Sequence, residues 1–209
     1  MNGFAPLNAI DGLRLAPEIR ALLRPGELAK DPRGRTHQLP RFFLEIGSWE
    51  EAKKRPVTPH FAYAELLTVD CRETDTLLNT FPHYVPCAVQ VLAQYLERFR
   101  TAIEEPVYVA TNGGYRSPAH RYHAQAVGPH CWGCAADIYR VGDDYLEDEK
   151  TIEKYRRIAE SLGQEVRTKP YGHGSEETDD HLHIDIGYVS LTPAYCDEIC
   201  DEGGGEPSG

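Results

Sequence analysis

Residues 106–139 read PVYVATNGGYRSPAHRYHAQAVGPHCWGCAADIY, and the fold class turns on how this stretch is parsed. Pro106 to Thr111 is a short β-branched and aromatic run, which predicts a strand. Asn112-Gly113-Gly114 ends it with a turn signal. Ser117-Pro118 is a helix-start signal and predicts a short helix over 118–126. Ala135-Ala136-Asp137-Ile138-Tyr139 predicts a second strand, small-sided and mostly apolar.

Working outward, Val85, Ala88, Val89, Leu92, Leu96, Phe99 and Ile103 fall at helical spacing. They predict a helix over 85–103 with one face on the core and Pro86 in its first turn. Ile152, Tyr155, Ile158, Ala159 and Leu162 predict an amphipathic helix over 148–162. The charges from Asp143 to Lys150 form its solvated start. His181-Leu182-His183-Ile184-Asp185-Ile186 alternates polar and apolar, the pattern of a half-buried strand. Strands and helices mixed in this order predict an α+β domain with a small, mainly antiparallel sheet and flanking helices.

The chain has 209 residues, enough for one domain with a hydrophobic core. Residues 1–58 carry scattered Pro, Gly and charge around the run Phe42-Phe43-Leu44-Glu45-Ile46, and are expected to form an extension. Residues 196–209, ending in DEGGGEPSG, are expected to be a flexible tail. The formal net charge of −11 makes nucleic acid and anionic membrane poor general partners. No run approaches the roughly 18–20 apolar residues that span a bilayer. The first residues lack a basic segment followed by an apolar one, so the expected location is cytoplasmic, with export by a non-classical or phage-type route left open. On that reading the six cysteines, Cys71, Cys87, Cys131, Cys134, Cys196 and Cys200, are mostly reduced thiols.

Chemistry concentrates in two clusters, His130 to Asp137 and Asp179 to Asp185. Zinc takes nitrogen, sulfur and carboxylate ligands, and a catalytic site keeps one of four positions open. On a strand, His181, His183 and Asp185 share one face. A lone His-x-His on a strand is more often structural than ligating; the two clusters together bring the two readings level. Cys131 and Cys134 form a C-x-x-C, which is either a redox or metal half-site or a pair of buried thiols around Trp132-Gly133.

Three ordered motifs then carry a resemblance. Asn112-Gly113-Gly114-Tyr115-Arg116-Ser117-Pro118, His130 with Asp137 seven residues on, and Asp180-His181-Leu182-His183 together resemble the zinc D-Ala-D-Ala carboxypeptidase family. D-Ala-D-Ala dipeptidases, phage L-alanyl-D-glutamate endopeptidases and the hedgehog signalling domain are relatives of that family. His60-Phe61 with Glu65-Leu66 is similar to its usual opening. The likeness covers roughly residues 60–190, and it implies a hedgehog/DD-peptidase-like fold with a zinc peptidase domain over 59–195. It also implies Zn2+ held by His130, Asp137 and His183, with Asp180 as the general base for the attacking water. His181 would hydrogen-bond the oxyanion. Arg116 would grip a substrate carboxylate or polarise the scissile carbonyl, with Tyr115 and Ser117 beside it. The implied activity is hydrolysis of a peptide bond in a D-amino-acid-containing, peptidoglycan-type substrate. Two alternatives stand beside it: a non-hydrolytic zinc-binding partner module, and a non-haem iron enzyme using the same His/Asp/His triad. Tyr171, His173, Glu176 and Glu177 are further candidates for the cleft.

Overall fold

The computed structural model describes residues 5–67, 84–123 and 125–194. In chain order its elements are β1 (Ala9–Asp11), α1 (Pro17–Leu23), β2 (Leu28–Lys30), β3 (Thr36–Gln38), β4 (Phe42–Glu45), α2 (Trp49–Lys54), β5 (Pro56–Thr58) and β6 (Phe61–Ala62). Then come β7 (Tyr84–Pro86), α3 (Val89–Ile103), β8 (Val107–Val109), β9 (Ala135–Val141), β10 (Asp144–Tyr145), α4 (Glu149–Ser161), β11 (Arg167–Thr168) and β12 (Leu182–Asp185). The class is mixed α+β with small antiparallel sheets, as expected.

The largest sheet has five strands centred on β9. β8 runs along one edge of β9; β12 and then the short β10 run along the other, and β11 closes the sheet beyond β12. Every pairing is antiparallel. The register sets Leu182 against Ile138, His183 against Asp137 and Ile184 against Ala136. Ile138, Leu182 and Ile184 are fully buried in one core with Leu92, Leu96 and Phe99 of α3 and Ile152 and Ala159 of α4. The Tyr95 hydroxyl ties the two helices by donating to the Ala159 carbonyl (2.5 Å). Period-two alternation therefore puts the apolar side chains of β9 and β12 under the sheet and Asp137 and His183 on its other face.

Two expected boundaries moved. The helix over 85–103 starts at Val89, because Val85 and Pro86 belong to β7, where Leu44 pairs with Val85 and Phe43 with Pro86. A residue before proline is pushed out of the helical region into extended backbone, so Val85 cannot begin a helix. Pro86 also lacks a ladder donor, which suits the edge strand it occupies. The expected helix over 118–126 is a turn followed by one 3-10 turn at Arg121–His123. That stretch has no apolar stripe to bury, so a helix there would gain little from packing. The helix over 148–162 is present as α4, with the Asp148 carboxylate capping its first turn by accepting from Thr151 N (3.1 Å).

Residues 1–58, expected as an extension, supply two strands of the β1–β4–β7 sheet, and Ala9, Leu39, Leu44 and Ile46 belong to the same core as α3 and α4. The β2–β3 hairpin turns on a buried Asp31. Its carboxylate accepts from the backbone N of Arg33 (2.9 Å) and Arg35 (2.8 Å), and from Arg35 Nε (2.7 Å). Lys30 O accepts from Val127 N (3.0 Å) and Gln38 O from Trp132 Nε1 (3.0 Å), which docks the hairpin on the segment carrying His130. Among the described residues no helix is long and apolar enough to cross a membrane. The expected tail and Cys71, Cys196 and Cys200 lie outside the described residues.

Candidate metal centre

His130, Asp137 and His183 are all buried, and one donor atom from each lies within 4.8 Å of the others. Three different local structures deliver them. Asp137 and His183 are direct cross-strand partners, so their Cβ atoms stand about 4.5–5.5 Å apart on one face. His130 arrives from a 3-10 turn, Pro129–Trp132, with proline at its first position. The Gly113-Gly114 turn makes the close approach possible. A Cβ on Gly113 would stand 2.6 Å from Asp137 O, and one on Gly114 would stand 2.3 Å from Leu66 O.

Each imidazole is fixed through its far nitrogen. His130 Nδ1 faces the Gly114 carbonyl at 2.9 Å. A carbonyl only accepts, so Nδ1 carries the hydrogen and Nε2 is left bare toward Asp137 Oδ1, 3.3 Å away. His183 turns Nδ1 to Asp137 Oδ1 (2.8 Å) and Nε2 to Asp185 Oδ2 (3.3 Å). Asp185 Oδ1 in turn accepts from Gly187 N (2.8 Å). A carboxylate behind an imidazole in this way orients a metal ligand and raises its basicity. Asp137 Oδ2 accepts from Arg116 Nη2 (2.6 Å), which directs Oδ1 to the two histidines. Donors of one tetrahedral zinc with bonds of about 2.0–2.1 Å stand about 3.3 Å apart, and Asp137 Oδ1 lies 3.3 Å from His130 Nε2 and 2.8 Å from His183 Nδ1.

Charge follows from this packing. Burial holds the His130 imidazole down to about 4, with Arg116 adding to the effect, although Asp137 opposes it. His130 is therefore neutral at pH 7, as a ligand must be. Burial also disfavours the Asp137 charge, but His130 and His183 outweigh it and keep the carboxyl well below its usual range. Burial disfavours the His183 charge, but its hydrogen bonds to the Asp137 and Asp185 carboxylates exceed that cost and shift it up.

The triad lies on the floor of an open cleft of about 790 Å³. His181 points in, with Nε2 3.4 Å from Asp137 Oδ1, and lies outside the mutually close triad. Its Nδ1 faces Asp180 Oδ1 (2.5 Å), and the Asp180 side chain is 78% exposed on the cleft rim. Arg116, Glu176 and Glu177 line the cleft, whereas Tyr115 and Ser117 are buried away from its lining. Tyr171 and His173 also lie off the lining; their loop is held by Gly172 N to Thr178 O and Thr178 N to Pro170 O. Cys131 and Cys134 are buried outside the donor cluster. Burial pushes the Cys134 thiol up to about 12, which makes it a poor nucleophile or ligand.

Sequence reasoning placed Asp185 on the ligand face without giving it a role; its parity with His183 was the available signal. It also passed over His123, whose imidazole is on the cleft wall and is held down to about 3 by burial, then by His130 and Arg116. Arg33, Arg35, Arg167 and Lys169 reach the cleft from segments without a motif. Comparison with family models, curated proteins and solved structures gives no match to this chain.

Proposed function

We propose that the protein is a zinc-dependent hydrolase of a peptide-type amide bond. One observation carries this: the two imidazole nitrogens and the carboxylate oxygen of His130, His183 and Asp137 converge under an open cleft, while their other polar atoms are bonded away from it. That donor set fits Zn2+, and three protein ligands leave a fourth position open, as catalytic sites require. A bound Zn2+ supplies Lewis acidity to a carbonyl and makes a water acidic enough to lose a proton near pH 7.

The chain's own groups do the rest. Asp180 takes the proton from the attacking water and returns it to the leaving amine. Its carboxylate accepts from His181 Nδ1 and holds that ring beside the reacting carbonyl; with both ring nitrogens protonated, Nε2 donates to the developing oxyanion. Arg116 keeps Asp137 in place as a ligand. The choice of a D-amino-acid-containing, peptidoglycan-type peptide as substrate rests on the three sequence motifs.

The test is mass spectrometry of a peptide panel, with L- and D-residues, digested by the zinc-loaded protein. Cleavage that stops with chelator and returns with zinc supports the reading. A protein holding one zinc per chain that cleaves nothing in the panel sinks it, and leaves a zinc-binding partner module. Two histidines and one carboxylate also suit non-haem iron, so oxygen uptake by the iron-loaded protein is the parallel assay.

A further inference from the structure

Arg116 is the arginine that the motif offers to a substrate carboxylate, yet its fork is already engaged. Nε donates to the Asn112 carbonyl (2.7 Å), and Nη2 is shared between that carbonyl and Asp137 Oδ2. Its guanidinium also sits over the Tyr122 ring, 5.3 Å from the centroid. A two-pronged grip on a carboxylate needs both nitrogens along one edge of the fork. Nε is occupied and Nη2 is doubly occupied, so Arg116 has no free edge.

The opposite flank of the centre is different. On β11, Arg167 pairs with Asp185 and Thr168 with Ile184, so Arg167 shares the sheet face of Asp185 and His183. Lys169 follows two residues on, at the same parity. Both line the cleft. Three other cations of the lining are paired: Arg33 with Glu176 (3.4 Å), Arg35 with Asp31 (2.7 Å) and Arg116 with Asp137 (2.6 Å). Among the described residues, neither Arg167 nor Lys169 has an ion-pair partner. Asp185, the nearest carboxylate in register to Arg167, is committed to His183 Nε2 and Gly187 N. Two uncommitted cations side by side are a local exception in a chain of net charge −11. They put the cleft's free positive charge on the β11 side of the metal ligands.

We propose that Arg167 and Lys169 form a subsite for a carboxylate of the substrate, on the β11 flank of the His130–Asp137–His183 centre. The proposal rests on the hydrolase reading for its substrate class. Arg167 supplies the planar fork and Lys169 a second, mobile charge. The carboxylate has two sources in a peptide, the C-terminus or an acidic side chain, and the experiment separates them.

The probes are N-acetyl-D-Ala-D-Ala, its C-terminal amide, and N-acetyl-D-Ala-D-Glu with the terminus amidated. Dissociation constants are measured by calorimetry on the zinc-loaded full chain, wild type and Arg167→Gln/Lys169→Gln, with zinc content and Tm as checks on folding. One of the two acidic probes is expected to bind the wild type about 10-fold or more tighter than the neutral amide, the scale of a charge-assisted hydrogen bond. A preference for the first probe identifies a terminal carboxylate; a preference for the third identifies a side chain. In the double variant that preference should fall below about threefold, with binding of the neutral amide and zinc content unchanged. A preference that survives in the variant overturns the subsite, and so does a wild type that shows none. Binding with the expected preference but no cleavage of any probe ends the hydrolase reading alone; cleavage without a preference ends the subsite alone.

Discussion

Asp185 is the most informative residue to change, because it touches the centre only through His183. Its two oxygens serve two donors, His183 Nε2 at 3.3 Å and Gly187 N at 2.8 Å. Asparagine has one acceptor oxygen. In Asp185→Asn, either the amide nitrogen faces Gly187 N–H, or it faces His183 Nε2 and forces that ring to carry its hydrogen on Nδ1, the atom turned toward Asp137. The first outcome costs the buried hydrogen bond from Gly187 N; the second keeps both hydrogen bonds but puts the hydrogen on the ligand nitrogen and blocks it. Loss of such a supporting partner lowers metal affinity about 10–100-fold, or about 1.4–2.7 kcal/mol. The assay is a zinc titration of the metal-free protein against a competing chelator at pH 8. The pH matters because Asp185 also raises the His183 pKa. At low pH its removal weakens proton competition and masks part of the loss. Asp185→Asn with a zinc Kd within twofold of wild type, and an unchanged Tm, would falsify the argument that His183 is oriented through Asp185.

Three further expectations follow from separate features. Asp180→Ala should keep full zinc by elemental analysis and lose about 10²- to 10⁴-fold in turnover; full activity would move the proton transfer to His181 or Glu177. Gly113→Ala sets a Cβ 2.6 Å from Asp137 O and 2.9 Å from Asp137 Cβ, so β9 must shift; a stability loss of about 1–3 kcal/mol, with weaker zinc binding, should appear in denaturant titrations and chelator competition. Burial alone would raise the Asp31 carboxyl, but hydrogen bonds from His37 and Arg35 leave it far below the usual carboxylate range. Such a depressed group stabilises the fold above its unfolded pKa of about 3.9, and that contribution is lost as pH falls below it. The stability gap between wild type and Asp31→Asn should therefore be widest near pH 6 and narrow steadily toward pH 2; a gap that grows on acidification contradicts the assignment.

The site was more legible in the sequence than the fold around it. His181, His183 and Asp185 could be put on one face because a strand alternates, and that needs no knowledge of neighbours. The pairing of His183 with Asp137 could not be read, since register belongs to two strands at once. Local signals also misled where a stronger local rule applied. The apolar spacing from Val85 looked helical, but Pro86 forbids helical backbone at Val85. Ser117-Pro118 looked like a helix start, but nothing beyond it supplies a face to bury. Arg116 was legible as a site residue from its motif, whereas its commitment to Asn112 O and Asp137 depends on how the Gly113-Gly114 turn folds back.

The N-terminal segment shows why short strands hide function. β2 and β3 are three residues each, too short for a period to emerge, and charge dominates the turn between them. Its structure depends on Asp31, which gathers two backbone amides and Arg35 into one buried knot. His37 joins that knot through Nε2 to Asp31 Oδ2 (3.1 Å) while its ring stacks on Tyr188 at 3.7 Å, and the Tyr188 ring meets Trp132 edge-on at 4.9 Å. Trp132 closes the turn that holds His130 and bonds back to Gln38 O. The position of one candidate metal ligand is thus set by residues about a hundred positions earlier, through the Asp31 ion pairs, ring packing and a main-chain bond. A cation that binds only the assembled triad stabilises every contact needed to assemble it. The free energy of a metal bound there would therefore be shared with the docking of the β2–β3 hairpin, whose Gln38 carbonyl accepts from Trp132 beside His130.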